Sequence, residues 1–197
     1  TLDLKHPGAG EIVRRLVADA DVFIQNFKVG AIDRLGFGYD AIRAINPAIV
    51  YCSISGYGQE GPRAKAAAYD GAIQAASGMM SMTGFAENGP TKIGFTVVDM
   101  STGLTAAFAI SSALYRRQAT GEGQFLDVSM YDAMMAFQKS AVAQYGFTGK
   151  PNPAGLQRAM TLYPFDLFPA KDGRVSIAVG NPHHWDLLCA AMDRADL

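Results

Sequence analysis

Residues 48–54 read AIVYCSI, and this short apolar run determines the predicted architecture. A run of this kind, rich in β-branched residues, is typical of a strand that is buried on both faces of a parallel sheet. Asn46-Pro47 lies directly before it and ends the helical pattern of residues 39–45. Another apolar run, at residues 22–24, lies before that helix. The order strand, helix, strand with short connections predicts a right-handed crossover and parallel strands.

The same alternation continues outward from this unit to about residue 149. The patterns predict helices at residues 12–17, 39–45, 70–80, 99–118 and 130–145, strands at 22–24, 48–54 and 125–128, and a hairpin within 165–179. Gly, Pro and Asn are frequent between Phe147 and Pro164, which indicates a linker. We therefore predict an α/β protein. Residues 1–149 form a Rossmann-like parallel sheet with flanking helices, and residues 150–197 form a linker and the beginning of a smaller α+β domain.

The composition excludes several classes of protein. The 197 residues are 49% hydrophobic and 18% charged, which excludes a disordered chain. A formal net charge of −1 gives no electrostatic reason to expect a nucleic-acid or membrane-surface partner. The uncharged stretch from Met100 to Arg116 is shorter than the roughly 18–20 residues that a membrane-spanning helix needs. We therefore predict a protein with no membrane span.

The two cysteines, Cys52 and Cys189, lie far apart in apolar surroundings. Single cysteines of this kind are typical of buried free thiols in a reducing compartment, so we predict a cytoplasmic protein. The sequence starts at Thr1 instead of Met and stops just after a helical pattern. We expect it to be a piece of a longer protein.

Two motifs resemble ligand-binding sites, one for a dinucleotide and one for a metal ion, but the sequence around each does not favour that interpretation. Residues 56–61 match the pattern G-x-G-x-x-G of dinucleotide-binding loops, but no clear helix begins before about Asp70, and Glu60 places a negative charge where phosphates bind. We interpret the segment as a flexible loop over a ligand site. His183-His184 lacks further ligands at workable spacing, so we predict no metal site.

Two aspartates at predicted helix starts are the candidate catalytic acids. Asp99 lies between the strand-like run FTVV and a long apolar helix. One interpretation is a helix N-cap, whose carboxylate accepts hydrogen bonds from free backbone N–H groups. The other is a nucleophile that attacks an activated acyl group. Asp70 follows Tyr69 at another helix start and is the candidate second acid of a pair.

The motifs also occur in a known family in the same order. The chain resembles the class III CoA-transferases of the CaiB/BaiF type, the superfamily of formyl-CoA transferase, carnitine CoA-transferase and α-methylacyl-CoA racemase. The resemblance extends over nearly the whole chain. It rests on residues 2–5, 21–27, 30, 34–36, 46–47, 53–58, 61–62, 69–70, 77–78, 83–84, 99, 103, 117, 120–124 and 127–130.

The resemblance implies a role for each matching residue. Asp99 matches the catalytic aspartate, with Asp70 and Tyr69 as further candidate catalytic residues. A cationic Lys28 or Arg34 suits the phosphates of CoA. The residues that match CoA-holding stretches are Leu2, Asp3, Leu4, Lys5, Asn26, Phe27, Lys28 and Arg34, and those that match the segment beside the pantetheine arm are Ala66, Ala67, Ala68 and Tyr69.

The resemblance implies a CoA-transferase that moves CoA from an acyl-CoA to a carboxylic acid through aspartyl-anhydride and aspartyl-CoA thioester intermediates. It also implies an interlocked homodimer and a first strand that is missing before Thr1. Two alternatives stay open: an acyl-CoA racemase or epimerase, and a truncated, non-catalytic CoA-binding fragment. The racemase branch has His where this chain has Tyr69, and a tyrosine is a poor base near neutral pH. The Gly-rich loop of the formyl-CoA transferases has no counterpart in the sequence between Gly149 and Asn181.

Overall fold

The computed structural model describes residues 1–152, 162–194 and 196–197. Helices and strands alternate through the first 149 residues, and a hairpin with one helix follows. In chain order the elements are α1 (Ala9–Ala18), β1 (Val22–Gln25), α2 (Ala31–Arg34), α3 (Tyr39–Ile45), β2 (Val50–Ser55), α4 (Asp70–Ala76), α5 (Met79–Met82), a 3-10 turn (Ala86–Asn88), α6 (Val97–Thr120), β3 (Gln124–Ser129), α7 (Met130–Phe137), α8 (Lys139–Thr148), β4 (Phe165–Ala170), β5 (Gly173–Ala178) and α9 (Pro182–Ala191).

The three strands of the first unit form a parallel sheet in the order β1-β2-β3. β2 is the central strand, and its residues Val50 to Cys52 are at most 1% exposed. The register pairs Val22 with Val50, and Val50 with Gln124, so all three strands run side by side to one carboxyl edge. The predicted α/β architecture, a Rossmann-like parallel sheet with flanking helices, is confirmed.

Packing of α6 against β2 and β3 fixes this long helix across the sheet. Ala106 on α6 contacts Cys52 and Val128 in one buried apolar cluster. Near the carboxyl end of the helix, Arg117 donates to the Asp21 carboxylate over 2.6 Å and to the Ala48 carbonyl over 3.2 Å. These bonds tie the end of α6 to the residues that lead into β1 and β2.

Two predicted helices are each interrupted. The pattern at 70–80 contains two helices, because Gly78 adopts a left-handed φ of +82° that no helix continues through. The pattern at 130–145 also contains two, since Gln138 leaves the helical conformation at φ −98° and ψ 14°. In both cases the apolar pattern continues across the break, so periodicity alone did not reveal it.

The carboxyl-terminal part contains the predicted hairpin. β4 and β5 pair antiparallel, with Phe165 opposite Ala178 and Ala170 opposite Gly173. α9 follows, and the side chain of Asn181 caps its start by accepting a hydrogen bond from the His184 backbone N–H over 2.9 Å. Residues 153–161 of the predicted linker lie outside the described residues. The domain boundary near residue 150 stays a prediction.

Both cysteines are buried free thiols, as predicted: Cys52 is 0% and Cys189 6% exposed. Burial, with a smaller contribution from the charge of Asp127, raises the pKa of Cys52 above its usual value. A thiol of this kind is a packing element of the core and a weak nucleophile.

By length and composition α6 is able to cross a membrane, since its 24 residues include a window with a mean hydropathy of 1.4, of which 28% is buried here. This stretch is longer than the uncharged run identified in the sequence, because it includes Asp99 and the arginines at its end. The core helices of soluble proteins have the same length and composition. The absence of a membrane span stays a prediction.

Candidate active site

An open pocket of about 540 Å³ lies at the carboxyl edge of the parallel sheet. The loop after β1 supplies residues 26–29, the end of β2 supplies residues 54–56, and Met130 follows β3. The segment before α4 and the first two turns of α6 close the remaining sides. In α/β folds this edge is where ligands bind, because the loops that follow parallel strands converge there.

Asp99 lines this pocket with an exposed carboxylate. It is the third residue of α6, and Thr96 occupies the N-cap position. The prediction that Asp99 itself is the N-cap is therefore wrong: the helix begins two residues earlier than its apolar pattern indicated. Among the described residues, no hydrogen bond or ion pair engages the Asp99 carboxylate.

Asp70 performs the capping that the sequence assigned to Asp99. One of its oxygens, Oδ2, accepts from the backbone N–H of Val98 over 2.8 Å and of Asp99 over 3.3 Å. Its other oxygen accepts from the Gln74 amide over 2.6 Å. Asp70 is only 6% exposed and is not among the residues that line the pocket. Its role as a second catalytic acid stays a prediction, and its contacts are those of a residue that positions α6.

Gln74 extends this connection to the segment that leads into α6. The side chain is 0% exposed. Its Oε1 accepts from the Ile93 backbone N–H over 2.9 Å, while its amide also donates to the Phe95 carbonyl at 3.5 Å. Through these bonds α4 holds residues 93–99, and with them the backbone of Asp99, by buried polar contacts.

Gly56, the first residue of the glycine-rich loop at residues 56–61, lines the pocket. A Cβ at Gly56 would lie 2.1 Å from the Ala68 Cβ, so the absence of a side chain lets the loop backbone meet the segment before α4. The Asp127 carboxylate accepts from the Gln59 backbone N–H over 2.8 Å. The next helix begins only at Asp70. This geometry differs from a dinucleotide-binding loop, where a helix starts directly at the glycines.

The structure brings together seven of the residues predicted to hold CoA. Asn26 donates its amide to the Ile54 carbonyl over 2.9 Å, which joins the loops after β1 and β2. Phe27 and Lys28 follow as exposed side chains, and no ion pair engages Lys28 within the described residues. The seven that line the pocket with Asp99 are Asn26, Phe27, Lys28, Ala66, Ala67, Ala68 and Tyr69.

The other predicted CoA-holding residues lie elsewhere. Leu2, Asp3, Leu4, Lys5 and Arg34 are not among the residues that line the pocket. Leu4 packs against the buried cluster beneath α1 and α3, and Arg34 is exposed at the end of α2. A role for these five residues in CoA binding stays a prediction.

Several pocket residues were missed as site residues. Thr102, Gly103 and Met130 line the pocket, as does Ser55, whose buried hydroxyl has no hydrogen-bond partner in the described part of the chain. The available signal was spacing, because Gly103 lies four residues after Asp99 and therefore on the same face of α6. No group of three or more His, Cys, Asp or Glu side chains in the described residues is arranged to hold a metal ion.

The chain is similar to known proteins over its whole length. The family model for CoA-transferase family III matches residues 1–197. The acetyl-CoA:oxalate CoA-transferase of Acetobacter aceti is 41% identical over 197 residues, and the succinate–glutarate CoA-transferase of Agrobacterium fabrum 40% over 188 residues. These alignments cover 100% and 95% of this chain but 51% and 47% of the two relatives.

A solved structure is also similar to the whole chain. A CAIB/BAIF family protein from Brucella suis matches with a TM-score of 0.84 at 39% identity, over 100% of this chain and 52% of that protein. The chain thus spans about half the length of the proteins it matches.

Proposed function

The chain belongs to CoA-transferase family III, and we propose that the protein moves CoA from an acyl-CoA to a carboxylic acid with Asp99 as the nucleophile. The observation that carries the proposal is the exposed carboxylate of Asp99 at the carboxyl edge of the parallel sheet, which has no hydrogen bond or ion pair within the described residues. A carboxylate that accepts no hydrogen bond keeps its lone pairs available for attack.

The first half of the proposed reaction loads CoA onto the enzyme. An Asp99 oxygen attacks the thioester carbonyl carbon of the donor, the carbon–sulfur bond breaks, and CoA leaves as a thiolate. The product is a mixed anhydride between Asp99 and the donor acid. The thiolate then attacks the Asp99 carbonyl carbon. The donor acid departs as a carboxylate that carries one oxygen from Asp99, and Asp99 holds CoA as a thioester.

The second half repeats these steps in reverse order with the acceptor. The acceptor carboxylate attacks the Asp99 thioester and displaces the CoA thiolate, which gives a second mixed anhydride. The thiolate attacks the acceptor carbonyl carbon, and Asp99 leaves as a carboxylate that keeps one oxygen from the acceptor. No net proton transfer and no oxidant are required. These steps through covalent Asp99 adducts replace one difficult direct exchange of CoA between two acids.

The remaining pocket residues supply binding and position. We assign Lys28 and Phe27 to CoA, because an unpaired ammonium group attracts phosphate and an exposed ring offers a flat apolar contact. Asp70 acts through the backbone of α6 and is a positioning residue. Since the relatives are named for oxalate, succinate and glutarate, small dicarboxylic acids are the first acceptors to test.

We also propose that the protein forms a homodimer. One face of α6 carries Met100, Leu104, Phe108 and Tyr115, which are between 63% and 78% exposed. Large apolar side chains repeated at this spacing are typical of a surface that another element covers. Light scattering of the full-length protein is expected to give twice the mass of one chain, and a monomer mass would contradict the proposal.

The test of the transferase proposal compares two aspartates in the full-length enzyme. Asp99 and Asp132 are each the third residue of a helix, and both are exposed, but Asp132 does not line the pocket. We expect Asp99→Ala to lower CoA transfer by at least about a thousandfold, because the nucleophile is lost, and Asp132→Ala to leave it nearly unchanged. Transfer retained by Asp99→Ala would reject the mechanism. Deuterium uptake at the donor α-carbon without acid exchange would instead indicate a racemase.

A further inference from the structure

Gly103 is the only glycine among the 24 residues of α6. Apart from proline, glycine is the least favourable residue for a helix interior, because it loses the most backbone freedom on folding. Alanine, the most favourable, occurs at several other positions of the same helix, including Ala106 and Ala113. A glycine one turn after Asp99 therefore needs a physical reason.

Neither the backbone nor the packing among the described residues provides that reason. Gly103 does not have a left-handed φ, so its conformation is open to any residue. A Cβ built on it meets no atom of the described residues within 4 Å. The contrast within the chain is clear, since a Cβ at Gly56 would lie 2.1 Å from Ala68, and a Cβ at Gly123 would lie 2.0 Å from the Ile49 carbonyl oxygen.

The space above Gly103 belongs to the pocket. Gly103, Asp99 and the neighbouring Thr102 all line it. Thr102 is 3% exposed and donates its hydroxyl to the Val98 carbonyl over 2.7 Å. Its side chain is therefore held against its own helix, beside the glycine. Gly103 leaves bare helix backbone facing the pocket about 6 Å along the helix axis from Asp99, just over one helical turn.

We propose that Gly103 is a specificity-determining residue that makes room for the acyl group attached to Asp99 in the mixed anhydride. This inference rests on the proposed function. An acyl chain bonded to the Asp99 carboxylate reaches one helical turn within its first few carbons. A methyl group at position 103 occupies the space of those carbons, so it hinders longer acyl groups more than acetyl.

The experiment measures kcat/KM of the full-length enzyme for acetyl-, butyryl-, succinyl- and glutaryl-CoA with one acceptor acid. We expect Gly103→Ala to lower kcat/KM by about tenfold or more for the longer donors and by less than about threefold for acetyl-CoA. Gly103→Val should widen this ratio. The matched control is Gly146→Ala, at an exposed helix-interior glycine of α8 whose Cβ also meets nothing within 4 Å and which does not line the pocket.

Thermal unfolding separates this role from a structural one. Both alanine variants should keep or raise the unfolding midpoint, because alanine stabilises a helix relative to glycine. A lowered midpoint for Gly103→Ala, or an unchanged preference among donors, would overturn the inference while leaving the transferase proposal intact. Failure of the wild-type enzyme to transfer CoA from any of the donors would reject the proposed function, and this inference with it.

Discussion

The starts of α4 and α6 each carry an aspartate, and the two carboxylates have opposite environments. Asp70 opens α4, is 6% exposed and accepts three hydrogen bonds from Val98, Asp99 and Gln74. Asp99 lies in the first turn of α6 and is exposed, and its carboxylate accepts no hydrogen bond within the described residues. A buried carboxylate that accepts three hydrogen bonds stabilises a structure, whereas one left free at a pocket is available for chemistry.

Desolvation explains why the two roles fall on different residues. Burying a carboxylate is unfavourable unless hydrogen bonds replace its water, and Asp70 has those bonds. An exposed Asp99 avoids this penalty and needs no partner. Because Asp70 satisfies the backbone N–H groups at the start of α6, Asp99 does not have to bend back to cap its own helix. Asp70 thereby leaves the Asp99 carboxylate free for the nucleophilic role that we propose.

The largest expected effect is on activity and comes from Asp99→Asn. The amide has nearly the shape of the carboxylate but is a far weaker nucleophile, so CoA transfer should fall by at least about a thousandfold. The free energy of unfolding should change by no more than about 0.5 kcal/mol, as for an exposed surface substitution. Urea unfolding beside Asp132→Asn checks this. A large loss of stability in Asp99→Asn would show that Asp99, like Asp70, has a structural role.

Asp70→Ala should have the largest effect on stability. It leaves the Val98 and Asp99 N–H groups and the buried Gln74 amide without their acceptor, which costs about 2–3 kcal/mol in the free energy of unfolding. We expect kcat to fall by about tenfold to a hundredfold with little change in KM, because a displaced helix start misorients the nucleophile. Asp70→Asn keeps an acceptor oxygen and should recover part of both losses. A stable Asp70→Ala enzyme that has lost activity completely would favour the catalytic-acid role.

Gln74→Ala tests the next link in the same connection. The substitution removes the acceptor of the Ile93 N–H and one donor to Asp70, at a cost of about 1–2 kcal/mol in the free energy of unfolding. Activity should decrease less than in Asp70→Ala, since the bonds from Asp70 to α6 remain. Combining Gln74→Ala with Asp70→Ala should give less than the sum of the two losses. Additive losses would show that the two side chains act independently.

Lys28→Ala should have the smallest effect, because it removes one exposed charge at the pocket. We expect KM for the acyl-CoA to rise by up to about tenfold, kcat to stay unchanged, and stability to change by less than about 0.5 kcal/mol. The salt dependence of KM should also become weaker. Lys171→Ala, at an exposed lysine between β4 and β5, is the control. An equal rise in KM in both variants would show that Lys28 has no specific role in CoA binding.

The strands and most helices could be predicted from the sequence, because apolar periodicity and Asn46-Pro47 mark their limits directly. The breaks at Gly78 and Gln138 could not, since the apolar pattern runs through both. The capping of α6 was also out of reach of local patterns, because Asp70 lies 28 residues before the Val98 N–H that it binds.

The candidate site was predictable in part. Asp99 and the residues after β1 that are predicted to hold CoA were selected through the family resemblance, and the structure brings them to one pocket. Gly103 is among the residues that carry the resemblance but was given no role in the site, and Thr102 was missed, because a glycine or a threonine in an apolar helix carries no chemical signal of its own. Their role becomes visible only when the helix face is placed against the pocket. Tertiary geometry, not residue type, supplies that information.

The most direct test of the central claim follows oxygen through the two aspartates. Trypsin separates them, because Asp70 falls on the peptide of residues 66–92 and Asp99 is the only acidic residue of residues 93–116. The full-length enzyme is allowed many turnovers with an acceptor acid labelled with oxygen-18 and is then digested with trypsin. Mass spectrometry measures the masses of the two peptides. The account predicts up to two heavy oxygens in peptide 93–116 and none in peptide 66–92. Label in peptide 66–92, or in neither peptide while transfer proceeds, would contradict it.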